Sequence, residues 1–211
     1  MNIEVREVHV DDEMFSQILA LRYHVYCLER GFENPDDHPG GQESDEYDQH
    51  SIHLAAIDLD SQEVVGTMRL IRDTEEKGLP IRNNFELFDH LPEVPSSLVG
   101  EISRLAVPKQ NRHEFEIIAR LFQEISSVSR KYDITHWYAA MAKGLATLLK
   151  RRRIVFQPAG PEVDFHGLRT PHFGAVSQIL FGSDFYRHYL GYSDVEFSML
   201  KKSASGKVCY R

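Results

Sequence analysis

The chain has 211 residues, 42% of them hydrophobic and 27% charged, which is enough to bury a full core in one large domain or two small ones. Its formal net charge of −8 opposes general attraction to nucleic acid, although a local basic patch is compatible with it. No stretch approaches a membrane span and the N-terminus lacks a basic-then-apolar signal pattern, so a soluble, cytoplasmic protein is expected. Cys27 and Cys209 are far apart and form no CxxC unit, which sets aside a disulfide framework and a zinc knuckle.

In chain order, "IEVREV" (3–8) alternates as a short strand should. Asp11 and Asp12 offer an N-cap to a helix that Gly31 closes. Its inward stripe carries Phe15, Ile18 or Leu19, Arg22, Val25 and Tyr26. Residues 32–50 form a long polar loop with prolines and glycines, a kind that is uncommon and often functional. "SIHLAAIDL" and "EVVGTMRLIR" read as a strand hairpin across "DSQ", and "NFELFDHL" as a short helix. "LVGEISRLAVP" is a strand stopped by Pro108. Phe115, Ile118, Phe122, Ile125 and Ser129 fall three and four apart, the best amphipathic helix in the chain. "ITHWYAAM" is a strand, "AKGLATLLKRRR" a helix with a basic end and "IVFQPAG" a strand. "PHFGAVSQIL" is a further strand candidate and "SDFYRHYL" a short helix. Antiparallel strands followed by β-α-β-α-β imply one α/β domain over 1–211, a mixed sheet with helices on its faces.

Three arginines stand where patterning calls for apolar or small residues. Arg22 is on the helix's inner stripe, and Arg69 and Arg104 are mid-strand. A buried charge needs a partner. The carboxylates Glu43, Asp45, Asp48 and Glu101 supply candidates, and Glu43, Asp45, Glu46 and Asp48 lie so close in sequence that they repel one another without a cation among them. An ion network pinning the 32–50 loop over the sheet satisfies both demands. In one version the network is structural; in another, one carboxylate also attracts or deprotonates a cationic amine. Glu101 is the best single candidate for a base, and a salt-bridged, half-exposed strand residue is the plain alternative. A β-bulge between Glu101 and Arg104 would put both on one face, splay the strand from its neighbour and free backbone groups for an extended ligand.

The blocks "LRYHVYCLERGFE", "GGQESDEYDQHSIHLAA", "VVGTMRLIR" and "VGEISRLAV" resemble the acyl-homoserine-lactone autoinducer synthases. Those share an early Arg followed by an aromatic, an E-x-D-x-(aromatic)-D element, a G-x-x-R-L strand and an E-x-(S/T)-R strand. The chain is more similar still to acyltransferases associated with PEP-CTERM/exosortase systems and to N-acyl amino acid synthases, a likeness that "HGLRTPHF" supports. The resemblance implies the GNAT fold, with a mostly antiparallel sheet, helices on both faces and a splayed central strand pair. It maps Arg22, Asp45, Asp48, Arg69 and Arg104 onto the synthases' motif and Glu101 onto their proposed general base. Glu43 and Arg104 join Glu101 as expected catalytic residues. Phe32 stands where the synthases typically carry Trp, which departs from an S-adenosylmethionine pocket. Phe32, His166 and Arg169 are expected on the acceptor side, which residues 160–211 complete.

Acetyl-CoA-using members of this fold cradle pyrophosphate in a Gly-rich loop ahead of a helix. Here that segment is "AVPKQNRHEFE", without glycine. A single phosphate, as on the phosphopantetheine arm of an acyl carrier protein, needs less. Leu105, Ala106, Val107, Lys109, Arg112 and His113 are the expected donor contacts, with a backbone N–H near 105–107 polarising the thioester carbonyl; CoA remains an alternative donor. Lys150–Arg153 reads either as a carrier-docking patch or as cations complementing a helix C-terminus. Trp137 and Tyr138 read as core, and with Phe122 and Met141 as an alternative acyl tunnel. His50 and His53 should face opposite ways, and His166 and His172 are read as loop residues without zinc spacing. No bound cofactor or metal is expected. The expected activity is acyl transfer from a thioester to an amino acid or similar amine. The alternatives are homoserine-lactone synthesis from S-adenosylmethionine and a non-catalytic acyl-carrier or lipid-binding module.

Overall fold

The computed structural model describes residues 1–74, 77–183 and 185. Strand β1 (Ile3–Val8) leads to helix α1 (Glu13–Tyr23), whose first turn is capped by the Asp12 carboxylate accepting from the Met14 N–H at 2.8 Å. The helix runs on as a π turn, His24–Glu29, before Gly31 reverses the chain with φ +60°. The hairpin is β2 (Ser51–Asp58) and β3 (Glu63–Arg72). A short helix α2 (Pro80–Asn84), strand β4 (Val99–Ala106), helix α3 (Phe115–Lys131), strand β5 (His136–Met141) and helix α4 (Lys143–Arg151) follow. Short strands β6 (Gln157–Pro158) and β7 (Val163–Asp164), strand β8 (Leu168–Ala175) and helix α5 (Val176–Leu180) complete the described elements.

The sheet runs β1-β2-β3-β4-β5-β8-β6, with β7 on β8. Among the described strands only β4 and β5 are parallel; the other pairs are antiparallel. Alternation sends one set of side chains to each face. Met68, Leu70, Ile102, Trp137 and Ala139 meet Ile117, Leu121, Phe122 and Ile125 of α3 and Leu149 of α4. On the other face Ala55 and Ile57 meet Phe15, Ile18 and Leu19 of α1, and Ile71, Val99 and Tyr138 meet Leu79, Ile81 and Phe85. Trp137 is fully buried and donates its ring N–H to Ser129 Oγ at 2.9 Å. Gly66 lets α3 lie close to β3, since a Cβ there would stand 2.6 Å from the Ile117 side chain.

The expected α/β fold is present, and three segments differ from the sequence reading. The helix near "NFELFDHL" lies earlier, at Pro80–Asn84, because proline suits the first helical turn while Phe85 is extended. Only Gln157 and Pro158 of "IVFQPAG" pair in the sheet; Val155 N–H turns instead to the Ile179 carbonyl, and Pro158 has no N–H to continue a ladder. The late strand starts at Leu168 and stops at Ala175, and "VSQIL" closes as a helix. His172 is therefore a buried strand residue rather than a loop residue. Most of the expected helix at "SDFYRHYL", with Cys209, lies outside the described residues.

Candidate functional site

Arg22 arrives on the last turn of α1, completely buried. Its Nε donates to Glu43 at 2.5 Å, and its two Nη atoms donate to the two oxygens of Asp48 at 2.7 and 3.2 Å. Arg69, from β3, donates through Nη1 to Asp45 and Asp48, both at 2.6 Å, through Nη2 to Asp45 at 2.9 Å, and through Nε to Ser103 Oγ at 3.1 Å. Arg104, from β4, donates to Glu43 at 2.9 and 3.1 Å and lies 3.0 Å from Asp45. Three guanidiniums and three carboxylates thus fold the 40s loop onto the sheet. The cations among those acids are the protein's own. Burial opposes ionisation of Glu43, but Arg104 and Arg22 outweigh it and hold its carboxyl below the usual range. Burial likewise opposes ionisation of Asp45 and Asp48, and the Arg69 and Arg22 interactions outweigh it.

The loop also takes in His53, which is buried and bonds through Nε2 to the Asp48 carbonyl at 2.9 Å. Burial lowers its pKa, so it is neutral and donates that bond. His50 is exposed, and the two do not share a ligand.

The bulge sits at Arg104 itself. Ser103 pairs with Arg69 and Ala106 with Thr67, so β4 carries one extra residue, and Arg104 takes φ +51° to accommodate it. Strict alternation would send Arg104 to the α3 face; the bulge returns it to the face of Glu101 and Ser103. On its other side β4 pairs with β5 only from Val99 to Glu101. Beyond that the two strands part. The gap opens into a cavity of about 430 Å³, a size that suits a ligand pocket. Met68, Ile102, Ile118, Phe122, Met141 and Leu145 are among its apolar lining, and Tyr26, Ser103, Arg104, Arg112 and Arg169 among its polar lining.

Glu101 does not line this cavity. It stands two residues before Ser103 on the same face, nearly fully buried, with Oε2 accepting from the Ile81 N–H at 2.8 Å. Burial is the largest influence on its carboxyl and pushes its pKa to about 7, against the opposing pull of the Ile81 N–H, Arg69 and Arg104. Among the described residues no cationic side chain lies within 4 Å of it, so the salt-bridged alternative does not describe it. The structure separates Glu101 from Glu43 in character. Both Glu43 oxygens are committed to arginines, so Glu43 holds Arg22 and Arg104 rather than standing ready to take a proton.

The expected donor residues divide. Leu105, Val107 and Arg112 line the cavity. Ala106 is packed against Leu21 and Val25, and His113 is exposed beside Glu114. The expected acceptor residues come together: Arg169 stacks on the Phe32 ring at 4.2 Å, and His166 Nδ1 lies 2.9 Å from the Phe32 carbonyl. Sequence reasoning missed Glu33, which lies 3.2 Å from His166 and 3.6 Å from Arg104, and Glu29, which binds Arg112. Their only sequence signal was adjacency to "RGF".

The acetyltransferase (GNAT) domain family matches residues 21–121. The acyl-homoserine-lactone synthase of Aliivibrio fischeri (strain ATCC 700601 / ES114) is 30% identical over 158 residues, 69% of this chain and 76% of that protein. This chain belongs to the acyl-homoserine-lactone synthase family of GNAT acyltransferases. The fold agrees. The CoA-dependent acyl-homoserine lactone synthase BjaI, solved with SAM and isopentyl-CoA, superposes with a TM-score of 0.70 at 20% identity, covering 92% of each chain. FeeM, an N-acyl amino acid synthase from uncultured soil microbes, gives 0.60 at 12% identity, covering 88% of this chain and 97% of its own. The protein is an acyltransferase, and among its described residues no helix is long and apolar enough to cross a membrane.

Proposed function

We propose that this acyltransferase moves a fatty acyl group from the phosphopantetheine arm of an acyl carrier protein to the amine of an amino acid or similar acceptor. The observation that carries the reading is the parting of β4 and β5 over an apolar cavity beside a buried carboxyl poised near neutrality. The thioester arm runs along the β4 edge beyond Glu101, and the acyl chain lies among Ile118, Phe122, Met141 and Leu145. The acceptor approaches past Phe32, Glu33, His166 and Arg169. The acidic loop does not itself attract its ammonium, because Glu43, Asp45 and Asp48 are matched by three arginines; Glu33 is the carboxylate left closest to that approach. Glu101 accepts the amine proton through water, since Ser103 rather than Glu101 faces the cavity. Attack of the free amine on the thioester carbonyl gives a tetrahedral intermediate, which collapses to amide and free thiol.

A carrier-bound donor is supported by the glycine-free turn after β4, which cannot bring several backbone N–H groups to a pyrophosphate, and by the exposed Lys150–Arg153 run at the end of α4, whose charge suits an acidic partner. S-adenosylmethionine is the second acceptor reading, favoured by the identity to the Aliivibrio fischeri synthase. Against it, Arg169 already covers a face of Phe32 that a sulfonium could use. The test offers carrier-bound and CoA-bound acyl donors with separate amino acids and with S-adenosylmethionine, reading thiol release and products by mass spectrometry. An N-acyl amino acid supports the first reading and an acyl-homoserine lactone the second. Donor binding without thiol release for any acceptor overturns both.

A further inference from the structure

The turn after β4 already holds an anion. Glu29, the last residue of the π turn after α1, reaches 80 residues along the chain to accept the Lys109 N–H on Oε1 at 2.9 Å. Its Oε2 accepts from Arg112 Nη2. His24 Nε2 lies 3.0 Å from Oε1. Arg112 lines the cavity and is fixed from behind by its own bond to the Val107 carbonyl at 2.8 Å. A backbone N–H, a guanidinium and a nearby imidazole converging on one carboxylate make a seat suited to one phosphate group. It lies on the segment where this fold turns from the splayed strand to α3.

We propose that Glu29 is a built-in occupant of the seat for the donor's phosphate, and that it sets donor selectivity because it must yield that seat before the thioester arm enters. The inference rests on the acyl-thioester reading above. Two anions cannot share the Lys109 N–H and Arg112 at close range without strong repulsion. The competition discriminates by charge. A carrier-bound arm brings one phosphodiester, and one rotation of the Glu29 side chain frees a matching seat. A CoA thioester brings a pyrophosphate and a further phosphate, all of which meet the displaced carboxylate nearby. Glu29 thus disfavours the more highly charged donor.

The test measures KM for one acyl group presented on carrier protein and on CoA, in the wild type and in Glu29→Gln. Removing the charge should lower KM for both donors, and should lower the CoA-to-carrier ratio of KM values roughly fivefold. A residue that merely holds Arg112 in place predicts the opposite, a KM that rises for both donors with no change in their ratio; that result, or no change at all, overturns the proposal. If Glu29→Gln fails to fold by circular dichroism, Glu29→Ser carries the same expectations. Calorimetry with 4′-phosphopantetheine and with unphosphorylated pantetheine separates this inference from the acyl-transfer reading. Tighter binding of the phosphorylated probe alone in the variant supports the seat even where no protein turns over; equal binding of both probes in wild type and variant removes it even where turnover is intact.

Discussion

Replacing Arg22 with Met tests the ion network most directly. The side chain is fully buried, and methionine fills much of its volume while removing the charge. The loss is that of one member of a buried charge cluster, about 3–5 kcal/mol when the partners are left unpaired. Here they are not left entirely so. Glu43 keeps both contacts to Arg104, and Asp48 keeps Arg69 at 2.6 Å and the Asp45 N–H at 2.9 Å. The expected loss is therefore at the lower end, about 3 kcal/mol, or a fall in Tm of roughly 6–12 °C for a domain of this size. Urea titration at pH 7 measures it. The effect should shrink in acid. The folded pKa values of Glu43 and Asp48 lie below their unfolded ones, so their contribution is present above the ordinary carboxylate range and is lost as pH falls through the folded values. Arg22→Lys keeps the charge but not the forked geometry, and should recover only part of the loss. A loss below about 1 kcal/mol for Arg22→Met, the range of exposed ion pairs, would refute the picture of a dry network.

Three further outcomes are expected. Glu101→Gln should lower kcat/KM by about 10²–10⁴-fold, and the wild-type rate should rise with pH through about 7 as Glu101 ionises; because its folded pKa is raised, the carboxyl destabilises the fold increasingly above the ordinary Glu range, so the variant should be the more stable protein at pH 8 by on the order of 3 kcal/mol. Leu145→Trp, at a half-buried cavity position on α4, should favour shorter acyl donors, with about fourfold lost in kcat/KM for each methylene excluded from the cavity; an unaltered chain-length profile would place the acyl chain elsewhere. Reversing charge at Lys150 and Arg151 to Glu should raise KM for a carrier-bound donor about tenfold at low salt and leave a CoA-bound donor unaffected; equal effects on both donors would remove the docking role.

The sequence displayed the members of the network because each broke a local rule. An arginine on the inner stripe of α1, and two in the middle of strands, demand partners wherever they end up, and four crowded acids demand cations. The succession of most elements along the chain and the α3 stripe were legible for a similar reason: their periodicity is local. The bounds of β8 were not, because Phe173, Ala175, Val176, Ile179 and Leu180 in "PHFGAVSQIL" suit a strand or a helix over so short a run. The helix at Val176–Leu180 therefore stands where the sequence pattern allowed a strand.

Three features depended on the folded chain alone. The sequence called for a bulge between Glu101 and Arg104, but its seat in the left-handed backbone of Arg104, which turns that side chain toward Glu43, came only with the fold. The pKa of Glu101 depends on burial under α2 and on the Ile81 N–H, 20 residues away. Glu29 meets Arg112 across 83 residues, and His166 the Phe32 carbonyl across 134. Residue type and spacing state which groups cannot be buried alone; they do not state which distant group arrives to meet them. That choice follows from packing α1 on one face of the sheet and α3 on the other, and it is what turns a set of misplaced charges into a cavity with a buried carboxyl beside it.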